Sequence, residues 1–166
     1  MFETIYLNEY LVQLGQLFIA IILGGIIGLE RQERGIAAGL RTHMIVSLAG
    51  CFMMIIASEL SGTDPNARII AGILTGIGFL GAGTIISTAG SVKGLTTAAT
   101  IWATVGIGII IGLEKFFLGI AAALLIWGIL KLKSFEVSLF CKPQSIESDE
   151  SEGIYHKTAS KKKKKR

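Results

Sequence analysis

The chain has 166 residues, of which 51% are apolar, and 13 of its 28 charged residues (16 Lys and Arg, 12 Asp and Glu) fall in the first 130 positions. Residues 1–130 carry a net charge of −1 and residues 131–166 carry +5, which together give the +4 of the whole chain. Charges confined to short islands between long apolar runs exclude an ordinary soluble domain and indicate a protein that crosses the membrane several times. The basic charge belongs to the tail, so a nucleic-acid partner is not expected.

Five apolar runs are predicted to be membrane-spanning helices. They cover residues 11–29, about 42–57, about 69–88, 95–113 and 116–130. The first run is not expected to be a signal peptide, because the segment before it holds Glu3 and Glu9 but no Lys or Arg. Cys51 and Cys141 are expected to be free thiols.

Lys and Arg in the short loops set the orientation of such a protein, because these residues favour the cytoplasmic side. The loops after the first and third runs and the start of the tail hold Arg31, Arg34, Arg41, Lys93, Lys131 and Lys133, against Arg68 and Lys115 on the other side. The predicted fold is therefore an all-α bundle of about five transmembrane helices with its N-terminus outside and its C-terminus in the cytoplasm. The predicted parts are residues 1–10 outside, a transmembrane domain at 11–133 and a disordered, polybasic tail at 134–166.

The sequence "GIGFLGAG" at residues 76–83 has the spacing of a dinucleotide-binding fingerprint. Such a motif needs a strand before it and an acidic residue about 20 positions later. Neither is present, so no nucleotide or other cofactor is expected. Glycines four apart instead favour close contact between membrane helices, and their density also suggests a kinked or broken third span. The glycines predicted to pack are Gly24, Gly28, Gly72, Gly76, Gly78, Gly81, Gly83, Gly108 and Gly112.

Short polar islands hold the candidate functional residues, which are Glu30, Arg31, Arg34, Arg41, His43, Asp64, Lys93, Thr96 and Thr97. Glu30 precedes Arg34 by four residues, which favours an ion pair. The pair is interpreted as a collar that anchors the helix end, or as a cytoplasmic contact surface or gate. His43 either titrates near neutral pH or is simply solvated.

Asp64 is expected to form a turn and to cap the third span, with a cation-attracting mouth as the alternative. The threonines after Lys93 are expected to pack by bonding to their own backbone or to a neighbouring helix. The spans hold no carboxylate pair at metal-ligand spacing and no nucleophile–base arrangement, so an enzyme is not expected and metal ligands are not identified.

The chain resembles the MgtC/SapB family of bacterial membrane proteins over residues 11 to about 130. The resemblance lies in four motifs that occur in the family's order, namely "GLERQ", "GLRTH", "GIGFLGAG" and "GLTTAA". The resemblance implies a multi-pass protein of the inner (plasma) membrane, associated with growth at low Mg²⁺ and, in pathogens, with virulence. It implies a regulator that contacts membrane proteins such as the F-type ATP synthase. The best-studied members carry a folded cytoplasmic domain after the last span, whereas a polar tail is expected to follow the last span here.

The sequence is compatible with two functions. The first is a membrane regulator whose partners are the lipid bilayer, other membrane proteins and further copies of the chain. The second is a small cation transporter or channel, suggested by the glycine-rich third span.

The orientation can be tested with reporter enzymes. A reporter fused after Leu130 is expected to be active on the cytoplasmic side, and one inserted at Thr63 on the outer side, because Lys and Arg flank the predicted inner loops. A reporter at Arg41 serves as the cytoplasmic control. Reporters at Thr63 and Leu130 on the same side would contradict the predicted orientation.

Overall fold

The computed structural model describes the backbone of residues 2–88 and 91–140 and the side chains of residues 7–88 and 91–132. These residues form α1 (Phe2–Glu33), α2 (Leu40–Glu59), α3 (Pro65–Gly83), β1 (Ile86–Thr88), β2 (Ser91–Lys93), α4 (Leu95–Gly112) and α5 (Phe116–Phe140). The predicted all-α membrane bundle is confirmed. The chain divides into residues 1–132 and residues 133–166, and every contact described below lies within the first unit.

Four helices are long and apolar enough to cross a bilayer, namely residues 7–33 of α1 together with α2, α3 and α4. The apolar part of α5 with described side chains, Phe116–Leu132, is shorter. The backbone of α5 continues to Phe140, so residues 134–140, expected to be part of the disordered tail, are helical. The rest of the predicted tail, including Cys141, lies outside the described residues.

The third span differs from its prediction in two respects. α3 is continuous from Pro65 to Gly83, so the glycines do not break it. It also ends five residues early, because Ile86–Thr88 pairs antiparallel with Ser91–Lys93 in a short hairpin rich in β-branched residues. Gly94 follows the hairpin with φ of +90°, and a Cβ atom there would collide with the carbonyl oxygen of Thr84. This turn therefore requires glycine.

α2 packs against α1 on one side. A Cβ atom added at Gly24 would lie 2.5 Å from the carbonyl oxygen of His43, and one added at Gly28 would lie 2.7 Å from the Cα of Leu40. Both distances are too short for a real Cβ atom. The backbones of α1 and α2 therefore touch where the two glycines lie, as close helix contact in a membrane requires.

α2 packs against α4 in the same way on its other side. A Cβ atom at Gly108 would collide with the carbonyl oxygen of Ser47 and lie 2.9 Å from the backbone nitrogen of Cys51. One at Gly112 would lie 2.8 Å from the carbonyl oxygen of Cys51. Cys51 is a free, fully buried thiol in the apolar core of this three-helix unit.

α3 has the weakest attachment of the four long helices. Only 11% of its apolar 18-residue stretch is buried, against 39% to 50% of the corresponding stretches in the other three helices. Its buried residues are Ile77 and Gly81, and Ile77 packs in one cluster with Ile101 and Val105 of α4. Ile69, Ile70 and Ile73 are partly buried against α2 and α4, whereas much of the remaining α3 surface is exposed within the described part of the chain.

The glycine contact between α2 and α4 can be tested with Gly108→Ala. We expect this change to destabilise the protein by about 1–3 kcal/mol, because the new methyl group forces the two backbones apart. Gly106→Ala in the same helix is the matched control, since a Cβ atom there meets nothing within 4 Å. The control should be neutral or slightly stabilising, because alanine has the better helix propensity.

Thermal unfolding of the purified protein in detergent measures both variants. Equal midpoints for Gly106→Ala and Gly108→Ala would contradict the packing described for α2 and α4.

Candidate functional site

Three charged side chains meet at the C-terminal end of α1. Glu30 is 2% exposed and Arg31 4% exposed, although both are charged residues. The Nε of Arg34 contacts Oε1 of Glu30 one turn along the helix, so the ion pair expected from their spacing is present. Nη1 of Arg31 donates to Oε2 of Glu30 at 3.5 Å. Each carboxylate oxygen of Glu30 therefore faces its own guanidinium group.

This arrangement allows Glu30 to be buried as a carboxylate. Taking a charge out of water costs several kcal/mol, and this cost is recovered only when opposite charges and hydrogen bonds surround it. Arg34 also donates to the carbonyl oxygen of Leu130 at 2.8 Å, which ties the end of α1 to α5. Outside the buried group, Lys131 lies 3.7 Å from the exposed carboxylate of Glu33.

His43 and Ser47 extend the polar group along α2. His43 is fully buried, so the alternative of a solvated histidine is wrong. Its Nδ1 donates to the carbonyl oxygen of Gly39 at 2.9 Å. Ser47 lies one turn further along the same face and is also fully buried. Both residues contact α1 at Gly24, where a Cβ atom would meet the backbone of His43 and the side chain of Ser47.

Four atoms of this group have no hydrogen-bond partner within the described part of the chain, and one of them, Oε1 of Glu30, still has its ion pair with Arg34. The other three are Nε2 of His43, Oγ of Ser47 and Nε of Arg31. Buried polar atoms nearly always have a partner in a folded protein, so atoms left open mark a place where water or a polar ligand fits. His43 and Ser47 do not bond to each other, so they do not form a nucleophile and its base. We call Glu30, Arg31, Arg34, His43 and Ser47 the buried polar cluster.

The other candidate polar residues lie elsewhere. Arg41, Asp64, Lys93 and Thr96 are exposed, and no hydrogen bond or ion pair joins them to the buried polar cluster among the residues that the structure describes. Asp64 has φ of +52°, and its side chain does not cap α3. The carbonyl oxygen of Thr97 accepts a hydrogen bond from Thr100 at 2.9 Å. Threonines of α4 thus bond to their own helix, as expected.

The candidate glycines fall into two groups. Gly24, Gly28, Gly108 and Gly112 lie where helix backbones touch, and a Cβ atom added at Gly81 would make ordinary contact with Ala98 at 3.6 Å. A Cβ atom at Gly72, Gly76, Gly78 or Gly83 would meet nothing within 4 Å. Helix packing within the described chain therefore does not account for these four glycines.

Ser47 is the member of the buried polar cluster that was not predicted from the sequence. Its signal is its position four residues after His43, which places both side chains on one helix face. A serine within an apolar run is common in membrane helices, so the signal becomes informative only once His43 is known to be buried.

Comparison with known proteins gives one family and several relatives. The model of the MgtC family matches residues 17–137. "Protein MgtC" of Salmonella typhimurium strain LT2 is 46% identical over 110 residues, which are 66% of this chain and 47% of that protein. "Putative magnesium transporter YhiD" of Escherichia coli K12 is 46% identical over 114 residues, or 63% of this chain and 53% of that protein.

"Protein MgtC" of Brucella abortus is 44% identical over 93 residues, which are 56% of this chain and 39% of that protein. The chain thus spans about half the length of the curated relatives it matches. No solved structure matches the chain.

The buried ion pairs can be tested with Glu30→Gln. We expect a loss of about 3 kcal/mol or more in unfolding free energy, because the buried Arg31 then has no compensating charge. Glu33→Gln is the matched control on the same helix, since the side chain of Glu33 is 68% exposed. The control should change stability by less than about 1 kcal/mol.

Denaturant unfolding in detergent measures this difference. If the two substitutions had the same effect, the role assigned to Glu30 would be wrong.

Proposed function

The chain belongs to the MgtC family, and on this premise we propose that it is a regulator in the bacterial inner membrane. It supports magnesium homeostasis and growth at low Mg²⁺, and it acts by contact with other membrane proteins, of which the F-type ATP synthase is one candidate. Relatives named MgtC and a relative named for magnesium transport support the link to magnesium. The proposal concerns the membrane part that the chain shares with them.

Contact with another membrane protein is supported mainly by the open glycine face of α3, which consists of Gly72, Gly76 and Gly83. At 100° per residue these three positions lie within about 40° of one another on the helix surface. Ile77 and Gly81, which face the rest of the chain, lie on the opposite side of α3. The glycine face therefore points away from the bundle.

Energetics favour a partner on this face. Each glycine costs a helix up to about 1 kcal/mol relative to alanine. Within the described chain these three glycines make no contact that offsets the cost. Close approach of a second helix would offset it, because small residues let two backbones touch and gain van der Waals contact. The occupant is a helix of a partner protein or of another copy of the chain.

The interior supports regulation more than transport. α1, α2 and α4 touch through their backbones, and the core around them consists of apolar side chains such as Ile27, Ile107 and Ile111. Among the described residues, no group of three or more His, Cys, Asp or Glu side chains forms a metal site. Close contact between these helices favours a regulator over a transporter.

Transport is the second candidate, because one relative carries a magnesium-transporter name. Reconstitution of the purified chain into liposomes separates the two candidates. Saturable Mg²⁺ flux that depends on the protein would favour the transporter, whereas a regulator gives none.

The partner contact can be tested with Gly76→Leu and Gly83→Leu. Each leucine blocks the glycine face, so we expect loss of growth at low Mg²⁺ and loss of proteins crosslinked to the chain in native membranes. The thermal midpoint of the chain itself should stay within about 2 °C, because neither position packs within the chain. Ala71→Leu adds the same bulk on another exposed side of α3 and is the matched control.

Normal growth and unchanged crosslinking in both glycine variants would show that the face contacts only lipid, and the proposed mode of contact would then be wrong.

A further inference from the structure

A cavity of about 340 Å³ lies at the end of the three-helix unit opposite the buried polar cluster. It is bounded by the first part of α1, the end of α2 and the end of α4. Its polar lining consists of Glu9, Gln13, Gln16, Ser58, Glu59 and Glu114. In the predicted orientation this end of the bundle faces outside the cell. We call this cavity the acidic pocket.

The charged side chains that line the acidic pocket, among the described residues, are all carboxylates. Three different segments supply its carboxylates, which are Glu9 from α1, Glu59 from the end of α2 and Glu114 just after α4. Among the described residues, no Lys or Arg lines it. Glu59 accepts a hydrogen bond from Nε2 of Gln13 at 3.0 Å. A cleft lined by one sign of charge and walled by apolar helices concentrates ions of the opposite sign.

Gln16 gives an independent sign that the pocket holds something polar. It lines the pocket about 10 Å along α1 from Glu9, at 1.5 Å per residue. It is 2% exposed as a whole residue, its amide makes no hydrogen bond within the described part of the chain, and the polar atoms of that amide are open to the pocket. A nearly buried amide without a partner is unfavourable unless something polar in the pocket replaces its hydrogen bonds to water. Water or a hydrated ion in the pocket would supply the missing hydrogen bonds.

Glu114 is held at the mouth by an unfavourable backbone. Its φ is +63°, a left-handed conformation that glycine adopts far more readily. The amide of Glu114 bonds to the carbonyl oxygen of Ile111 at 2.9 Å, and that of Lys115 bonds to Ile110 at 3.1 Å, which is the usual helix ending built around glycine. Glycine here would relieve this backbone strain. Strained positions of this kind cluster at functional sites.

We propose that the acidic pocket binds a divalent cation together with its shell of water. Among the described residues, no three carboxylates lie close enough to ligate the ion directly, which favours binding through its waters. Mg²⁺ dehydrates reluctantly and keeps its waters. Six waters of about 30 Å³ each occupy about 180 Å³, so the hydrated ion fits the cavity. The carboxylates and the Gln16 amide then accept hydrogen bonds from the coordinated waters.

The choice of Mg²⁺ among divalent ions rests on the proposed function, whereas cation binding rests on the pocket alone. The experiment uses the full purified chain in detergent. MgCl₂ is titrated at constant ionic strength against NaCl, and the midpoint of thermal unfolding is recorded. A saturable rise with Mg²⁺ is expected, because a ligand of the folded state stabilises it. Hexaamminecobalt(III), which has the size of hydrated Mg²⁺ and does not exchange its ligands, should produce the same rise.

Variants locate the binding. Glu114→Gln and Gln16→Leu should each weaken the apparent Mg²⁺ affinity by about tenfold. Glu114→Gly should raise the midpoint of thermal unfolding in the absence of Mg²⁺ and still weaken the rise that Mg²⁺ produces. A purely structural role for Glu114 does not predict this combination. Glu33→Gln removes the same charge at the other end of α1 and should leave the response unchanged.

Three outcomes would overturn the proposal. The first is the absence of a saturable Mg²⁺ effect on the unmodified chain. The second is an equal loss of the response in Glu33→Gln. The third is a response to Mg²⁺ that hexaamminecobalt(III) does not reproduce, because the ion would then be ligated directly. Growth at low Mg²⁺ is not part of this measurement, so failure of cation binding and failure of the proposed regulation are distinguishable.

Discussion

Contact between the backbone of α2 and the backbones of α1 and α4 determines most of this structure. Lipid supplies no hydrophobic force between helices, so close packing through small residues must hold them together. Gly24 and Gly28 provide that contact on one side of α2, and Gly108 and Gly112 provide it on the other. Because the backbones touch, α2 has little freedom to slide or rotate. The same contact therefore fixes His43 and Ser47 against α1 at one end and Glu59 beside Gln13 at the other.

The polar groups lie where a membrane permits them. Glu9 and Glu30 are 21 residues apart on α1, or about 30 Å at 1.5 Å per residue, which is the thickness of the hydrocarbon layer. The buried polar cluster and the mouth of the acidic pocket thus lie near opposite surfaces, with the apolar core between them. Glu30 is buried among arginines, whereas Glu9 and Glu114 line an open cavity. The same helices form both ends, but the charges are paired and buried at one end and face an open cavity at the other.

Sequence patterns predicted which segments are helical better than they predicted which helices pack against each other. Five apolar runs predicted five helices, and the spacing of Glu30 and Arg34 predicted their ion pair, because both signals are local in the chain. The hairpin after α3 was not predicted, since its residues continue the apolar run. Gly24 and Gly28 have the same spacing as Gly72 and Gly76, yet only the first two pack within the chain. Spacing identifies a helix face but not what lies against it. The acidic pocket was missed for the same reason, because Glu9, Glu59 and Glu114 are far apart in sequence.

The packing also separates a rigid part of the molecule from a loosely held one. Regions with few buried contacts open most easily, and α3 is the long helix with the least burial. The acidic pocket is lined by the rigid helices, whereas the glycine face belongs to α3. Only residues 60–64 connect Glu59, which lines the pocket, to Pro65 at the start of α3. The proposed cation site and the proposed partner face are thus joined by a five-residue link at one surface of the bundle. A regulator that responds to a cation needs such a connection, because an ion shifts a conformational equilibrium only through contacts that differ between the two states.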